Sequence, residues 1–209
     1  MYNWSTVICS SLLALFYSIS LYLIYMKIQV PFVMKIMILL ILSNVAALIV
    51  IWTNIGITKD PFPGDIYWIL FLQAFMTFIR DGCFNVGHWI FSYQYYSTAI
   101  SMQYVFKQVQ MPENSQKNMA LLNRLLLTAN IAMPAITAGI LYYGNYKVVS
   151  TDGDVAPIKK GGEWFWPYMF SRFSVGALQL VSGIFLLISV NIIRRFLVGS
   201  GMRDHVNYI

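Results

Sequence analysis

The sequence predicts an all-α, polytopic transmembrane helix bundle of about five spans, with the N-terminus outside and the C-terminus inside. Four stretches lack Asp, Glu, Lys and Arg altogether: residues 1–26, 36–58, 125–146 and 173–193. Each has the roughly 20 apolar residues that an α-helix needs to cross about 30 Å of hydrocarbon. The composition agrees, with 58% hydrophobic and 11% charged residues, against roughly 45–50% and 25% in ordinary globular domains. Residues 1–209 are therefore interpreted as a single integral membrane domain.

These segments are expected to be helices because backbone groups in lipid must satisfy their own hydrogen bonds, and no alternating barrel-strand pattern is present. The net charge of +6 does not indicate a nucleic-acid partner, since the cations flank the spans rather than forming one patch. The expected partner is the lipid bilayer. Cys9 and Cys83 both fall inside predicted spans and are too few for a disulfide framework.

The first two predicted helices cover residues 6–26 and 33–57. Lys27 ends the first, and Pro31 is expected to turn the chain because proline resists continuing a helix. Residues 59–65 are dense in turn-forming and charged side chains, which predicts a loop.

The third predicted helix, residues 66–100, allows two interpretations. The apolar pattern runs on to Phe106 and is interrupted only by Arg80 and Asp81; at about 60 Å it would be twice the thickness of the membrane core. It is either one span continued beyond the bilayer or two spans broken near Gly82. One span leaves four cations outside and eight inside, namely Lys27, Lys35, Lys107, Lys117, Arg124, Arg194, Arg195 and Arg203. Splitting the helix removes this bias, so the positive-inside rule favours one span.

The last two predicted helices cover residues 125–143 and 166–193. They leave residues 107–124 as a polar connection inside and 144–163 as a loop outside. Pro134 is expected to kink the fourth helix. Five of the six tryptophans fall at the predicted outer boundary, where an amphipathic ring prefers to lie: Trp4, Trp52, Trp68, Trp164 and Trp166.

The third helix carries the candidate site. Asp81, Asn85, His88 and Ser92 recur at i, i+4, i+7 and i+11, so they form one polar stripe, with Arg80 beside it. Charged groups in hydrocarbon cost several kcal/mol and normally face a bundle interior or a water-filled cavity. We therefore expect Asp81 and His88 to face the other helices and Arg80 to have an anionic or phosphate partner. The stripe is a candidate ligand or ion site; alternatively, Arg80 snorkels or pairs with Asp81, and His88 is a hydrogen-bonded packing residue.

Weaker candidates lie on the other helices. Arg172 sits among aromatic residues, where it is a candidate for binding a lipid headgroup phosphate or making a cation–π contact; the alternative is that it snorkels to the outer surface. Asn44 and Asn130 lie near span centres and are candidates for hydrogen bonds between helices.

Motifs that would indicate an enzyme are missing from the sequence. There is no Walker loop, HExxH, GxSxG or clustered Cys/His, so we expect no metal and no cofactor, and the balance favours a non-catalytic protein. The preferred function is a scaffold or small subunit of a larger membrane assembly, with other membrane subunits or copies of itself as partners. The alternative is a receptor- or channel-like protein that uses the polar stripe. A third is a lipid-modifying enzyme acting through Asp81 and His88.

One part of the third helix, Phe84-Asn85 followed by residues 88–91 and Tyr95-Tyr96, resembles a pattern found in large sets of multi-pass membrane proteins of ciliates. Those proteins are similar to seven-helix receptors in layout and have longer chains, so the resemblance implies that this sequence supplies the first five helices. The inner end of the third helix lacks Asp-Arg-Tyr, and no cysteine follows the fourth helix, which argues against a G-protein-coupled role. The resemblance implies no activity.

Overall fold

The computed structural model describes residues 4–27, 31–59, 66–152 and 162–199, and the regular structure in these ranges is α-helical throughout. The five helices are α1 (Trp4–Lys27), α2 (Pro31–Lys59), α3 (Ile66–Phe106), α4 (Glu113–Asp152) and α5 (Phe165–Gly199). The all-α prediction is therefore confirmed.

Four of these helices, α2 to α5, are long and apolar enough to cross a membrane by length and composition. The apolar stretch that the structure describes in α1, Ser11–Ile24, is shorter than a full span. The description as a candidate multi-pass membrane protein rests on α2 to α5, and the count of five spans stays a prediction.

The third helix is continuous. It runs without a break for 41 residues, so the alternative of two helices separated near Gly82 is not what forms. A Cβ at Gly82 would meet only a side-chain atom of Phe78 at 3.7 Å, so this glycine marks neither a turn nor a close backbone crossing. The helix also passes the predicted end at residue 100 and reaches Phe106.

The fourth helix is much longer than predicted, because residues 113–124 and 144–152 are helical too. Its start is stabilised by the Pro112 carbonyl, which accepts hydrogen bonds from the backbone N–H groups of Ser115 and Gln116 at 2.9 and 3.2 Å. Glu113 in the first turn suits the helix dipole and pairs with Lys117 one turn later at 2.7 Å. The apolar run predicted only the hydrophobic middle part of α4. At both ends the helix continues through largely polar residues, where hydrophobicity gives no signal for a helix.

Two prolines occupy different positions in their helices. Pro31, expected in a connection, is instead the first residue of α2, a position where its missing N–H costs no hydrogen bond. Pro134 lies inside α4 and is fully buried, and the helix continues through it. The predicted kink at Pro134 stays a prediction.

The third helix is the centre of the bundle. It packs against α2, α4 and α5; α1 packs on α2, and α4 packs on α5. Within the described residues, no Cα atoms of α2 and α5 approach within 8 Å of each other. The Cα atoms of α2 and α4 make no such approach either. Of the two gaps beside α2, the one toward α5 leaves a face of α3 uncovered, where the Arg80 side chain is 28% exposed.

Candidate functional site

The gap between α2 and α5 is a cleft of about 310 Å³, which we call the polar cleft. Its floor is α3, one wall is α1 with α2, and the other wall is α5. Apolar side chains line part of it, but six of its lining residues are polar or charged: Ser43, Asn44, Arg80, Asp81, Arg172 and Gln179. The cleft therefore brings together residues from distant parts of the sequence.

Three charged side chains meet in the polar cleft. The Nε and Nη2 atoms of Arg80 donate to the two carboxylate oxygens of Asp81, at 2.8 and 3.2 Å. From α5, the Nη1 atom of Arg172 donates to Oδ2 of the same carboxylate. The Asp81 side chain is 11% exposed, whereas those of Arg80 and Arg172 are 28% and 35% exposed. This charged triad carries a net charge of +1, and the exposed part of it is cationic.

The charged triad lies at hydrocarbon depth if Trp68 and Trp166 mark the predicted outer boundary. Arg80 comes about 18 Å along α3 from Trp68, and Arg172 about 9 Å along α5 from Trp166, at a rise of 1.5 Å per residue. Both distances are smaller than the roughly 30 Å of the hydrocarbon core. Ionised groups at such depth are expensive unless they are paired or solvated, so the pairing of Asp81 with both arginines is expected on energetic grounds.

Two hydrogen bonds hold the helices around the charged triad. The Ser43 hydroxyl of α2 donates to the Arg80 carbonyl oxygen at 2.8 Å, and the Gln179 amide of α5 donates to Oδ1 of Asn85 at 2.8 Å. The Nδ2 atom of Asn85 is buried and makes no hydrogen bond within the described residues. Each bond ties one wall of the cleft to its floor. Neither Ser43 nor Gln179 was singled out from the sequence, because a single Ser or Gln in a span gives no periodic signal.

The polar stripe is placed as expected at three of its four positions. Asp81, Asn85 and Ser92 are buried. His88 is exposed, so the expectation that it faces the bundle is wrong.

The reason lies in the neighbours of His88 on α3. Gly87 faces α2, since a Cβ there would lie 3.6 Å from Leu39 Cβ, and the Trp89 ring packs edge-on against Phe185 of α5 at 5.4 Å. Successive side chains are 100° apart, so His88 lies between these contacts, on the uncovered face. Its ring packs at 4.5 Å from that of Phe84, which lines the polar cleft.

The weaker candidates make contacts other than those predicted for them. Arg172 bonds Asp81 across helices, a contact other than the headgroup phosphate considered for it. The side-chain amides of Asn44 and Asn130 donate to carbonyl oxygens of their own helices, Leu40 and Leu126, both at 2.8 Å. These bonds lie within single helices rather than between them.

A second polar cluster lies nearer the N-terminal end of α3. The Gln73 amide donates to the Asn54 side chain of α2, and the Asn145 amide of α4 lies 3.5 Å from Oε1 of Gln73. Gln73 and Thr77 precede Asp81 by eight and four residues, so they extend the polar stripe toward the N-terminus of α3. Continuing the i+4 search upstream would have found them. A cavity of about 250 Å³ adjoins this cluster, and Arg80 lines both that cavity and the polar cleft.

Metal-binding chemistry has little support in the described ranges. They contain no group of three or more His, Cys, Asp and Glu side chains that could hold a metal ion, and the buried carboxylate is already shared by two guanidinium groups. The site's chemistry is ion pairing and hydrogen bonding.

Comparison with protein-family models, curated proteins and solved structures found no match for this chain. The fold and the site therefore define its class as an all-α candidate multi-pass membrane protein. Its described residues also form a charged cleft beside α3.

Proposed function

We propose that this chain is a non-catalytic subunit of a larger membrane assembly, and that the polar cleft is where it meets a neighbouring subunit. The observation that carries the proposal is the exposure of Arg80 and Arg172, at 28% and 35%, on the open face between α2 and α5. Acyl chains cannot solvate a guanidinium group, so leaving that face against lipid is costly. A protein surface over the cleft removes the cost.

The receptor- or channel-like alternative has its own support. The cavity near Gln73 and the polar cleft share Arg80, so polar groups line α3 from its outer part to mid-depth. A ligand or ion entering from outside would meet these groups in succession. The subunit proposal is preferred because the cleft lies between α2 and α5, whose Cα atoms stay more than 8 Å apart within the described residues.

The proposed topology has five spans, with the N-terminus outside, residues 107–124 inside and residues 144–163 outside. We expect cysteines introduced at Ser115 and Thr151 to react with a membrane-impermeant maleimide from opposite sides of the membrane. The parent chain, whose Cys9 and Cys83 fall inside predicted spans, is the control. Labelling of both positions from the same side would refute the topology.

Photo-crosslinking in native membranes tests the subunit proposal. A photoreactive amino acid at Ala47, which lines the polar cleft, is expected to yield a defined protein adduct whose mass exceeds the 24.0 kDa of the chain. The matched control is Phe173, which follows Arg172 but is 76% exposed on the outer surface of α5; there we expect mainly lipid adducts. Lipid adducts alone at position 47 would show that no subunit covers the cleft.

A further inference from the structure

The polar cleft carries an excess of positive charge, because two guanidinium groups share one carboxylate. Asp81 neutralises one guanidinium group, and its own side chain is nearly covered at 11% exposure. The surplus positive charge is displayed by the two partly exposed guanidinium groups, which together have ten N–H donors and spend three on Asp81. An occupant that completes this site supplies one negative charge and acceptor oxygens.

The lining and depth of the cleft favour a carboxylate on a helix over a lipid phosphate as the source of that anion. Its remaining lining includes Leu13, Ala47 and Phe84, apolar side chains that suit the flank of a transmembrane helix. If the outer tryptophans mark the boundary, the two arginines of the charged triad start about 9 and 18 Å inside a hydrocarbon core of about 30 Å. A carboxylate carried on a helix reaches that depth directly, whereas a lipid phosphate would have to leave its headgroup layer.

Among the residues of this sequence, a second copy offers no carboxylate suited to this site. Its eight acidic residues are Asp60, Asp65, Asp81, Glu113, Asp152, Asp154, Glu163 and Asp204. All except Asp81 fall outside the predicted spans, residues 6–26, 33–57, 66–100, 125–143 and 166–193. Asp81 is already bound by two arginines of its own chain. A symmetric dimer through this face would therefore bring two surplus positive charges together.

We infer that the polar cleft binds a transmembrane helix of a different protein, and that an Asp or Glu near the middle of that helix pairs with Arg80 and Arg172. This inference rests on the proposed role as a subunit, and it names the partner's chemistry. Hydrogen bonds between two charged groups are stronger than those between a charged and a neutral group, and tenfold in affinity corresponds to about 1.4 kcal/mol. A preference of at least about tenfold for a carboxylate over its amide is the expected consequence.

The test uses the full chain, labelled with a donor dye on a terminal tag, in phosphatidylcholine vesicles at pH 8. Acceptor-labelled Leu/Ala transmembrane peptides carry Glu, Gln or Lys at the central position, and association is measured by energy transfer. We expect the Glu peptide to bind at least tenfold more tightly than the Gln peptide, and the Lys peptide to bind most weakly. Moving the Glu by four residues toward either end of the peptide should reduce its advantage, because the charged triad has a fixed depth.

Matched variants connect the preference to the charged triad. Arg80→Gln leaves Asp81 with its partner on α5 and makes the cluster neutral, so the Glu peptide should fall to the affinity of the Gln peptide. Arg80→Lys keeps the charge and should keep most of the preference. Lys117→Gln, which removes an exposed cation on α4, a helix that does not line the cleft, should leave the preference unchanged.

The outcomes distinguish this inference from the subunit proposal on which it rests. Equal binding of Glu and Gln peptides by the parent chain overturns the inference, while a protein adduct at position 47 would still support the subunit role. Loss of the Glu preference when phosphatidic acid is added would show that the cleft takes a lipid anion instead. Energy transfer between donor- and acceptor-labelled copies of this chain without any peptide, abolished by Arg80→Gln, would show that a second copy fills the cleft. Each of these two results also overturns the inference.

Discussion

Replacing Asp81 by Asn should lower the free energy of unfolding by about 3 kcal/mol, one of the two largest effects expected for a single substitution in this protein. The change leaves the guanidinium groups of Arg80 and Arg172 side by side without a counterion. Breaking one partner out of a buried ion pair typically costs about 3–5 kcal/mol. The lower end applies here because the arginine side chains are 28% and 35% exposed.

Reversible unfolding of the purified protein by SDS in mixed micelles measures this effect. The matched control is Glu113→Gln, which also removes a carboxylate from an ion pair, but one whose side chains are 68% and 78% exposed; it should cost less than about 0.5 kcal/mol. Arg80→Gln should also cost little, because Asp81 and Arg172 then form a neutral pair. If Asp81→Asn matches Glu113→Gln, the charged triad does not stabilise the fold.

Replacing Trp89 by Ala should lower the free energy of unfolding by about 3–5 kcal/mol, the usual cost of removing a large buried ring. Trp89 is fully buried, and its indole N–H donates to Oδ1 of Asn123 at 2.9 Å. Its ring also packs against Phe185 at 5.4 Å. The residue therefore joins α3 to both α4 and α5, and dispersion contacts of this kind hold membrane helices together where lipid removes the hydrophobic driving force.

Two further variants divide the effect of Trp89 into its parts. Trp89→Phe keeps most of the ring volume but loses the hydrogen bond, so it should cost about 1 kcal/mol. Trp68→Ala removes a tryptophan of the same helix that is 71% exposed, and it should have a much smaller effect on the same unfolding measurement. Equal costs at positions 68 and 89 would contradict the packing described for Trp89.

The helical class was accessible from the sequence because the constraint behind it is local. A backbone in lipid has no water to bond, so a run of about 20 uncharged apolar residues is enough to predict a helix. The same argument predicted α2 and α5 to within about six residues at each end. It failed at the ends of α4, since residues 113–124 are polar and helical, and a hydrophobic run contains no information about a helix that continues into water.

The candidate site was predictable in part. The spacing of Asp81, Asn85 and Ser92 predicted their shared burial, because a helix period of 3.6 residues fixes which side chains share a face. His88 has the same spacing and is exposed. Periodicity defines a face of α3, but it does not say that two neighbouring helices stop short of each other over part of that face.

By itself, the sequence determined that the protein is helical, that its helices are apolar enough to cross a membrane, and that its unusual charges lie on α3. Only the tertiary structure decided that Arg172, 91 residues away in sequence, shares the Asp81 carboxylate and that a cleft opens beside them. The physical reason is that helix formation is satisfied within each segment, whereas an ion pair between helices depends on how the segments pack. That packing is set by shape and by buried polar contacts such as those of Ser43 and Gln179, which leave no periodic trace in the sequence.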